Sequence, residues 1–157
     1  MPKSKSFRSI KELNRHIEKS VNNTLQKEVA QTAKSAMAEA VEEEVYSRPS
    51  GFYKRRGTDG GLGDTDNMRT ELTANGELTL TNETEVNPFQ RSDGSYFNNA
   101  FPSEYGLAEI VEFGNAGGIV SNPARPFHGK TVEKLKDGRT VDAIRKGLER
   151  QGISIKK

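Results

Sequence analysis

Residues 8–46 read RSIKELNRHIEKSVNNTLQKEVAQTAKSAMAEAVEEEVY, and their spacing decides how the chain folds. Apolar side chains fall at Ile10, Leu13, Ile17, Val21, Leu25, Val29, Ala33, Met37, Val41 and Val45. Steps of three or four place all of them on one face of a helix. Lys, Arg, Glu, Gln and Asn fill the positions between, and no Gly or Pro occurs from Arg8 to Arg48. Ser6 or Ser9 caps the start, with Glu12 three residues after Ser9 as in a capping box. Pro49 and Gly51 stop the helix. One continuous rod would run about 58 Å at ~1.5 Å per residue. That is long for so small a chain, so the helix either folds back at a break or projects and packs on neighbours. The steps are mostly four, which drifts around an α-helix and excludes a strict heptad seam. Glu42, Glu43 and Glu44 read as a solvated face.

Beyond this helix the pattern changes to β and loop. Residues 48–67, RPSGFYKRRGTDGGLGDTDN, hold five Gly and three Asp and form a loop. Phe52 and Tyr53, beside the basic Lys54, Arg55 and Arg56, read either as anchors that pin the loop to the core, the favoured reading, or as platforms for nucleic-acid stacking. Residues 68–84, MRTELTANGELTLTNET, alternate Leu72 and Ala74 with Leu78 and Leu80 around Asn75-Gly76. This predicts a hairpin with a type I′ turn, supported by the threonines at 70, 73, 79 and 81. Residues 85–103 make a long polar excursion with four aromatics, and 104–113 return to an amphipathic pattern that fits a short helix or a strand. A helical turn or two is expected at Thr131–Lys136, a break at Asp137-Gly138, and a helix over 139–151 that ends at Gly152. Ile153 and Ile155 suggest a short edge strand. The expected fold class is α+β: a long N-terminal helix over 1–47, then an α+β domain over 48–157 with a small antiparallel sheet and a C-terminal helix packed on it. Together they make one structural domain.

Composition narrows the function. Of 157 residues only 32% are hydrophobic, mean hydropathy is −0.80 and Trp is absent. A monomer of this composition builds a thin core, so part of its apolar surface is expected to be completed by a partner. Cysteine is absent, which excludes disulfides, a thiol nucleophile and thiolate metal sites. No apolar run approaches the roughly 18 residues of a membrane span. The N-terminus lacks the apolar segment of a secretory signal, so synthesis in a cytoplasm is expected. The net charge of +2 hides a polarity. Residues 47–124 carry six Lys/Arg against eleven Asp/Glu, and residues 125–157 carry ten against four. An acidic middle and a basic end fit either nucleic-acid contact or head-to-tail assembly.

No constellation for chemistry emerges. His16 and His128 lie in no metal or triad motif. Asp59, Asp64 and Asp66 fail the calcium-loop pattern, because Met68 and Arg69 stand where a ligand and the glycine belong. A two-metal site from Asp64, Asp66, Glu109 and Glu112 has no supporting motif. GTDGGLGD is followed by no lysine, so it is not a phosphate loop. No G-x-S-x-G or S-x-x-K nucleophile occurs. No enzymatic activity, no cofactor and no metal are expected.

The stretch EFGNAGGIVSNPARPF, residues 112–127, completes the pattern. A long helix leads to a basic-then-glycine loop ending in Gly60-Gly61-Leu62, then a Thr-rich hairpin. Ala108-Glu109-Ile110-Val111-Glu112-Phe113-Gly114 follows, then a Gly-rich loop, and Ala124-Arg125-Pro126-Phe127 enters the C-terminal helices. This order resembles the tail-completion, head–tail neck or minor tail proteins of tailed phages, the "gene product ten" family of lambda-like siphophages. The resemblance covers roughly residues 46–150.

It implies a structural virion protein at the head–tail junction or in the tail, made in the host bacterial cytoplasm, without activity. The implied partners are copies of itself in a hexameric or dodecameric ring, and other neck, connector, tail-terminator or tail-tube proteins. DNA would pass through without sequence-specific binding, and no membrane is involved. The implied contacts to other subunits or neck proteins lie at Glu112, Phe113, Gly114, Gly117, Gly118, Arg125, Pro126 and Phe127. Phe127 is a core or interface anchor, and Arg125 meets a neighbour or Glu112. Asp64, Asp66 and Glu83 line a DNA channel. The alternative is a small nucleic-acid-binding module using Lys54, Arg55, Arg56 and the basic C-terminal tail.

Overall fold

The computed structural model of the chain describes residues 6–49, 55–56, 59–86, 89–90, 96–97, 106–114 and 123–155. Its architecture is α+β. Helix α1 (Ile10–Thr24) passes through a π-helical turn (Leu25–Val29) into α2 (Ala30–Val41), and a second π turn (Glu42–Tyr46) ends the run. The Ser9 hydroxyl caps the start by accepting from the Glu12 N–H, and the Glu12 carboxylate answers by accepting from the Arg8 N–H.

The π turns account for the four-residue spacing. In an α-helix each step of four drifts by about 40°. Eight such steps from Leu13 to Val45 would carry the stripe most of the way round the helix. A π turn admits one extra residue and takes back roughly 100° of that drift. The Ala30 N–H reaches the Leu25 carbonyl in the first such turn, and the Ser47 N–H reaches the Glu42 carbonyl in the second.

The hairpin forms from β1 (Met68–Leu72) and β2 (Leu78–Asn82). Met68 is buried, Thr70, Leu72, Leu78 and Leu80 are half-buried, and Arg69, Glu71 and Thr79 between them are exposed. The turn differs from the expected two-residue type. The Gly76 N–H bonds to the Thr73 carbonyl, and the Thr73 N–H bonds to the Glu77 carbonyl at 2.8 Å. Gly76, at φ +81°, is thus the bulge residue after a turn and not one of its two central residues. A second antiparallel pair, β3 (Phe89–Gln90) and β4 (Tyr96–Phe97), lies in the 85–103 excursion.

Three helices complete the fold: α3 (Leu107–Phe113), α4 (Phe127–Leu135) and α5 (Arg139–Arg150). Within the ambiguous 104–113 segment, residues 107–113 are therefore helical. Helix α4 begins at Phe127, four residues earlier than expected, because the Pro126 carbonyl accepts its first bond, from Lys130. Gly138, at φ +103°, separates α4 from α5, and Gly152, at φ +83°, closes α5 as its N–H bonds to the Glu149 carbonyl. Ile153–Ile155 form no strand.

The chain divides into two compact units. The first comprises Met1–Ala33, Thr70–Leu80 and Leu135–Lys157. In it α5 packs on α1 and the first π turn, and finds its main partner there instead of on a sheet. Small residues make this possible. A Cβ on Gly147 would collide with Thr24 Cγ2 and stand 2.8 Å from Thr24 Oγ1. Gln151 then reaches across to the Ser20 carbonyl, Thr24 Oγ1 and Asn23, and Arg150 pairs with Glu28 at 2.6 Å. Gly147→Ala is expected to lower stability by up to about 2 kcal/mol. The overpacking of roughly 1–3 kcal/mol outweighs a helix-propensity gain of about 1. A thermal melt that rises for this variant would contradict the close approach.

The second unit comprises Lys34–Arg69 and Thr81–Lys134. Its core gathers Ala36, Met37, Ala40, Val41 and Val45 with Leu62, Met68, Ala108, Ile110, Val111 and Phe127. The glycine loop is pinned by side chains that bond its carbonyls. Asn67 and Thr84 donate to Gly61, and Asn82 donates to Leu62 at 2.8 Å. The charges divide along the same lines. The first unit holds fourteen Lys/Arg against eight Asp/Glu, net +6, and the second ten against fourteen, net −4.

Candidate functional site

The two motif segments, 108–114 and 124–127, meet in the second unit. The Arg125 N–H donates to the Val111 carbonyl at 2.9 Å. From that anchor, each charged side chain of the motif serves a helix end. The Arg125 guanidinium donates from Nη1 to the Val45 carbonyl and from Nη2 to the Pro49 carbonyl, both at 3.1 Å. These carbonyls lie in and just after the last turn of the long helix, where backbone acceptors are unmet and the dipole is negative. The Glu112 carboxylate accepts from the His128 N–H and lies 3.0 Å from His128 Nδ1. It thereby serves the first turn of α4, whose preceding residue, Pro126, has no side-chain acceptor of its own.

Arg125 and Glu112 do not pair with each other. Arg125 turns to the helix C-terminus and Glu112 to a helix N-terminus, which is where each charge is favoured. Phe127 is fully buried and its ring stacks on His128 with centroids 4.3 Å apart. Phe127 and Arg125 are therefore interior groups of this unit, and of the two roles weighed for Phe127 it takes the core one. Pro126 is exposed, as is Phe113 at the end of α3, and Gly114 follows with φ +73°. Gly117 and Gly118 lie outside the described residues.

The acids expected in a DNA channel separate into two kinds. Asp64 is a structural group. Its carboxylate accepts from the Asp66 N–H at 2.9 Å and from the Gly60 N–H at 2.8 Å, caps the short 3-10 turn Thr65–Asn67 and shapes the glycine loop. Asp66 and Glu83 are exposed, and Glu83 lies 3.6 Å from Arg69.

Bonds from the Asp66 and Gly60 amides hold the Asp64 carboxyl below the usual range, and Arg150 does the same for Glu28. A lowered pKa in the fold means that the stabilisation is complete above the ordinary carboxylate range, near pH 4, and fades as pH falls through the lowered values. Asp64→Asn is expected to lose this acid-sensitive part of stability, seen as a flatter melting temperature between about pH 5 and 2. An unchanged profile would mean that the two amides do not hold the charge.

The basic cluster is largely occupied. Arg55 donates to the Tyr46 carbonyl at 2.7 Å and lies 5.8 Å over the Tyr46 ring. Arg56 donates to the Glu85 carbonyl. Lys54, Phe52 and Tyr53 lie outside the described residues. In the first unit an open groove of about 320 Å³ is lined by His16, Lys19, Ser20, Arg150 and Gln151, with the Arg150 charge already matched by Glu28. Lys134 bridges Glu39 and Glu43, and Arg48 meets Glu44 at 2.7 Å, so part of the acidic face of the long helix is ion-paired.

Of the two contacts weighed for Arg125, a neighbour or Glu112, the one to Glu112 is not formed, because each group serves a helix end instead. The available signal was Pro126, which offers a helix start no side-chain acceptor and so calls for one from elsewhere. These features define an α+β protein whose loop-flanking motif is tied to two helix ends. The chain matches the YomN family over residues 9–150 and belongs to it. No curated protein and no solved structure matches the chain. No helix among the described residues is long and apolar enough to cross a membrane.

Proposed function

We propose that the chain is a structural virion protein of a tailed phage, a head–tail connector, neck or tail-completion protein that forms a ring and lets DNA pass. It carries no enzymatic activity and needs no cofactor. The observation that carries this is the clasp between the two motif segments, where the Arg125 N–H meets the Val111 carbonyl and the Arg125 and Glu112 side chains serve two helix ends. So fixed a frame beside the exposed Pro126 and Phe113 fits a surface that contacts another subunit or a neck protein. Membership of the YomN family, which suggests a phage-encoded protein, and the opposite net charges of the two units support it.

Electron microscopy of the protein alone and mixed with tail tubes tests it. Rings, or caps on tube ends, are expected. A persistent monomer that binds DNA tightly and with steep salt dependence would favour the nucleic-acid module instead. For the channel, the informative variant is Asp66→Lys with Glu83→Lys, since Asp64 is needed for the loop. It is expected to leave ring assembly intact and reduce DNA delivery, and unaltered infectivity would count against a channel role for these acids.

A further inference from the structure

The apolar stripe of the long helix changes character along its length. From Val29 onward its members Val29, Ala33, Met37, Val41 and Val45 are buried. Before that point Ile10 is 78% exposed, Leu13 37%, Ile17 42% and Val21 37%. Helix α5 does not cover these four. It packs along the neighbouring face, where Ser20 and Thr24 meet Gln151 and Gly147. Four large aliphatic side chains on one face of one helix form a contiguous apolar strip, which marks an interaction surface where scattered single residues would not.

Charge indicates what covers it. The strip belongs to the unit of net charge +6. Its helix carries exposed Lys11, Arg15 and Lys19 against Glu12 and Glu18. Strip against strip would bring like charges together, whereas the other unit is −4. On that acidic unit α3 presents Phe113, 79% exposed, with exposed Glu109 one turn before it on the same side. An aromatic tip beside a carboxylate is the chemical complement of an aliphatic strip on a basic helix.

We propose that the strip Ile10, Leu13, Ile17 and Val21 of one copy docks on the α3 surface around Phe113 and Glu109 of a second copy of this chain. The two surfaces differ, so the contact is heterologous and repeats from copy to copy, as a ring requires. The proposal rests on the assembly reading above and names its contact.

Sedimentation velocity of the full chain over a range of concentration and salt tests it. Wild type is expected to form species larger than a dimer that shrink as salt rises. Ile17→Asp with Val21→Asp, and separately Phe113→Ser, should each weaken association at least about tenfold while leaving the helical circular dichroism unchanged. The decisive step is mixing these two variants. Each keeps one working surface, so a mixture should stop at a one-to-one dimer. A wild type that stays monomeric, a Phe113→Ser variant that assembles normally, or a mixture that yields no heterodimer would each overturn the contact. Rings that persist in micrographs of the double-aspartate variant would overturn it too, while leaving the assembly reading intact. Absence of rings and tube caps from wild type would instead remove the assembly reading.

Discussion

Replacing Phe127 by Ala is expected to destabilise the chain by about 3–5 kcal/mol, the usual range for deleting a buried aromatic side chain. Phe127 has no exposed surface, and it opens α4 between the exposed Pro126 and the half-buried His128. Its backbone is fixed as well. Its N–H donates to the Arg125 carbonyl at 2.8 Å, and its carbonyl accepts from the Thr131 hydroxyl at 2.8 Å. A site tied on both sides collapses poorly around a void, which places the expected cost toward the upper end. Urea unfolding followed by circular dichroism measures it. Phe127→Leu, which keeps most of the volume, should cost less than half as much. A loss below about 1 kcal/mol for the alanine variant would show that the ring is not a core element.

Arg125→Met is the second large effect, at about 3–6 kcal/mol. Methionine keeps the aliphatic stem and removes the charge, so the loss reports the polar contacts. Hydrogen bonds from a charged donor contribute roughly 1.5–3 kcal/mol each, and buried carbonyls left without a donor add a desolvation penalty. Arg125 is only 6% exposed and serves the Val45 and Pro49 carbonyls together. Lysine should rescue poorly, because a single ammonium lacks the planar fork that reaches two acceptors at once. The expected signature in hydrogen exchange is faster opening at the end of the long helix, around Val45–Ser47, with α1 unaffected. Stability within about 1 kcal/mol of wild type would mean that water replaces the guanidinium without cost.

Both predictions come from the segment that sequence reading understood least. The long helix was legible because its apolar residues recur at three and four and no Gly or Pro interrupts them. The hairpin was legible in its strands but not in its turn, since Asn-Gly suits both a two-residue turn and a glycine bulge. Only the register, closed by Thr73 and Glu77, separates the two. Helix α4 was read late because Pro126 and Gly129 resemble loop residues. Its start depends on Glu112, sixteen residues away in sequence. Asp64 cannot be told from a channel acid by sequence, because a carboxylate that binds backbone amides looks the same there as one facing solvent.

What the sequence determined by itself is local: the periodic helix, the alternating strands, the glycine stops at Gly138 and Gly152, and the uneven placement of charge. Each depends on side chains within a few residues of one another. Tertiary structure alone decided which half of the helical stripe is covered, and that Arg125 and Glu112 serve opposite helix ends instead of each other. The periodicity of Ile10 through Val21 is the same as that of Val29 through Val45. Burial depends on what else packs there, and the small residues Gly147, Ser20 and Thr24 draw α5 onto the adjacent face and leave the first four aliphatics exposed.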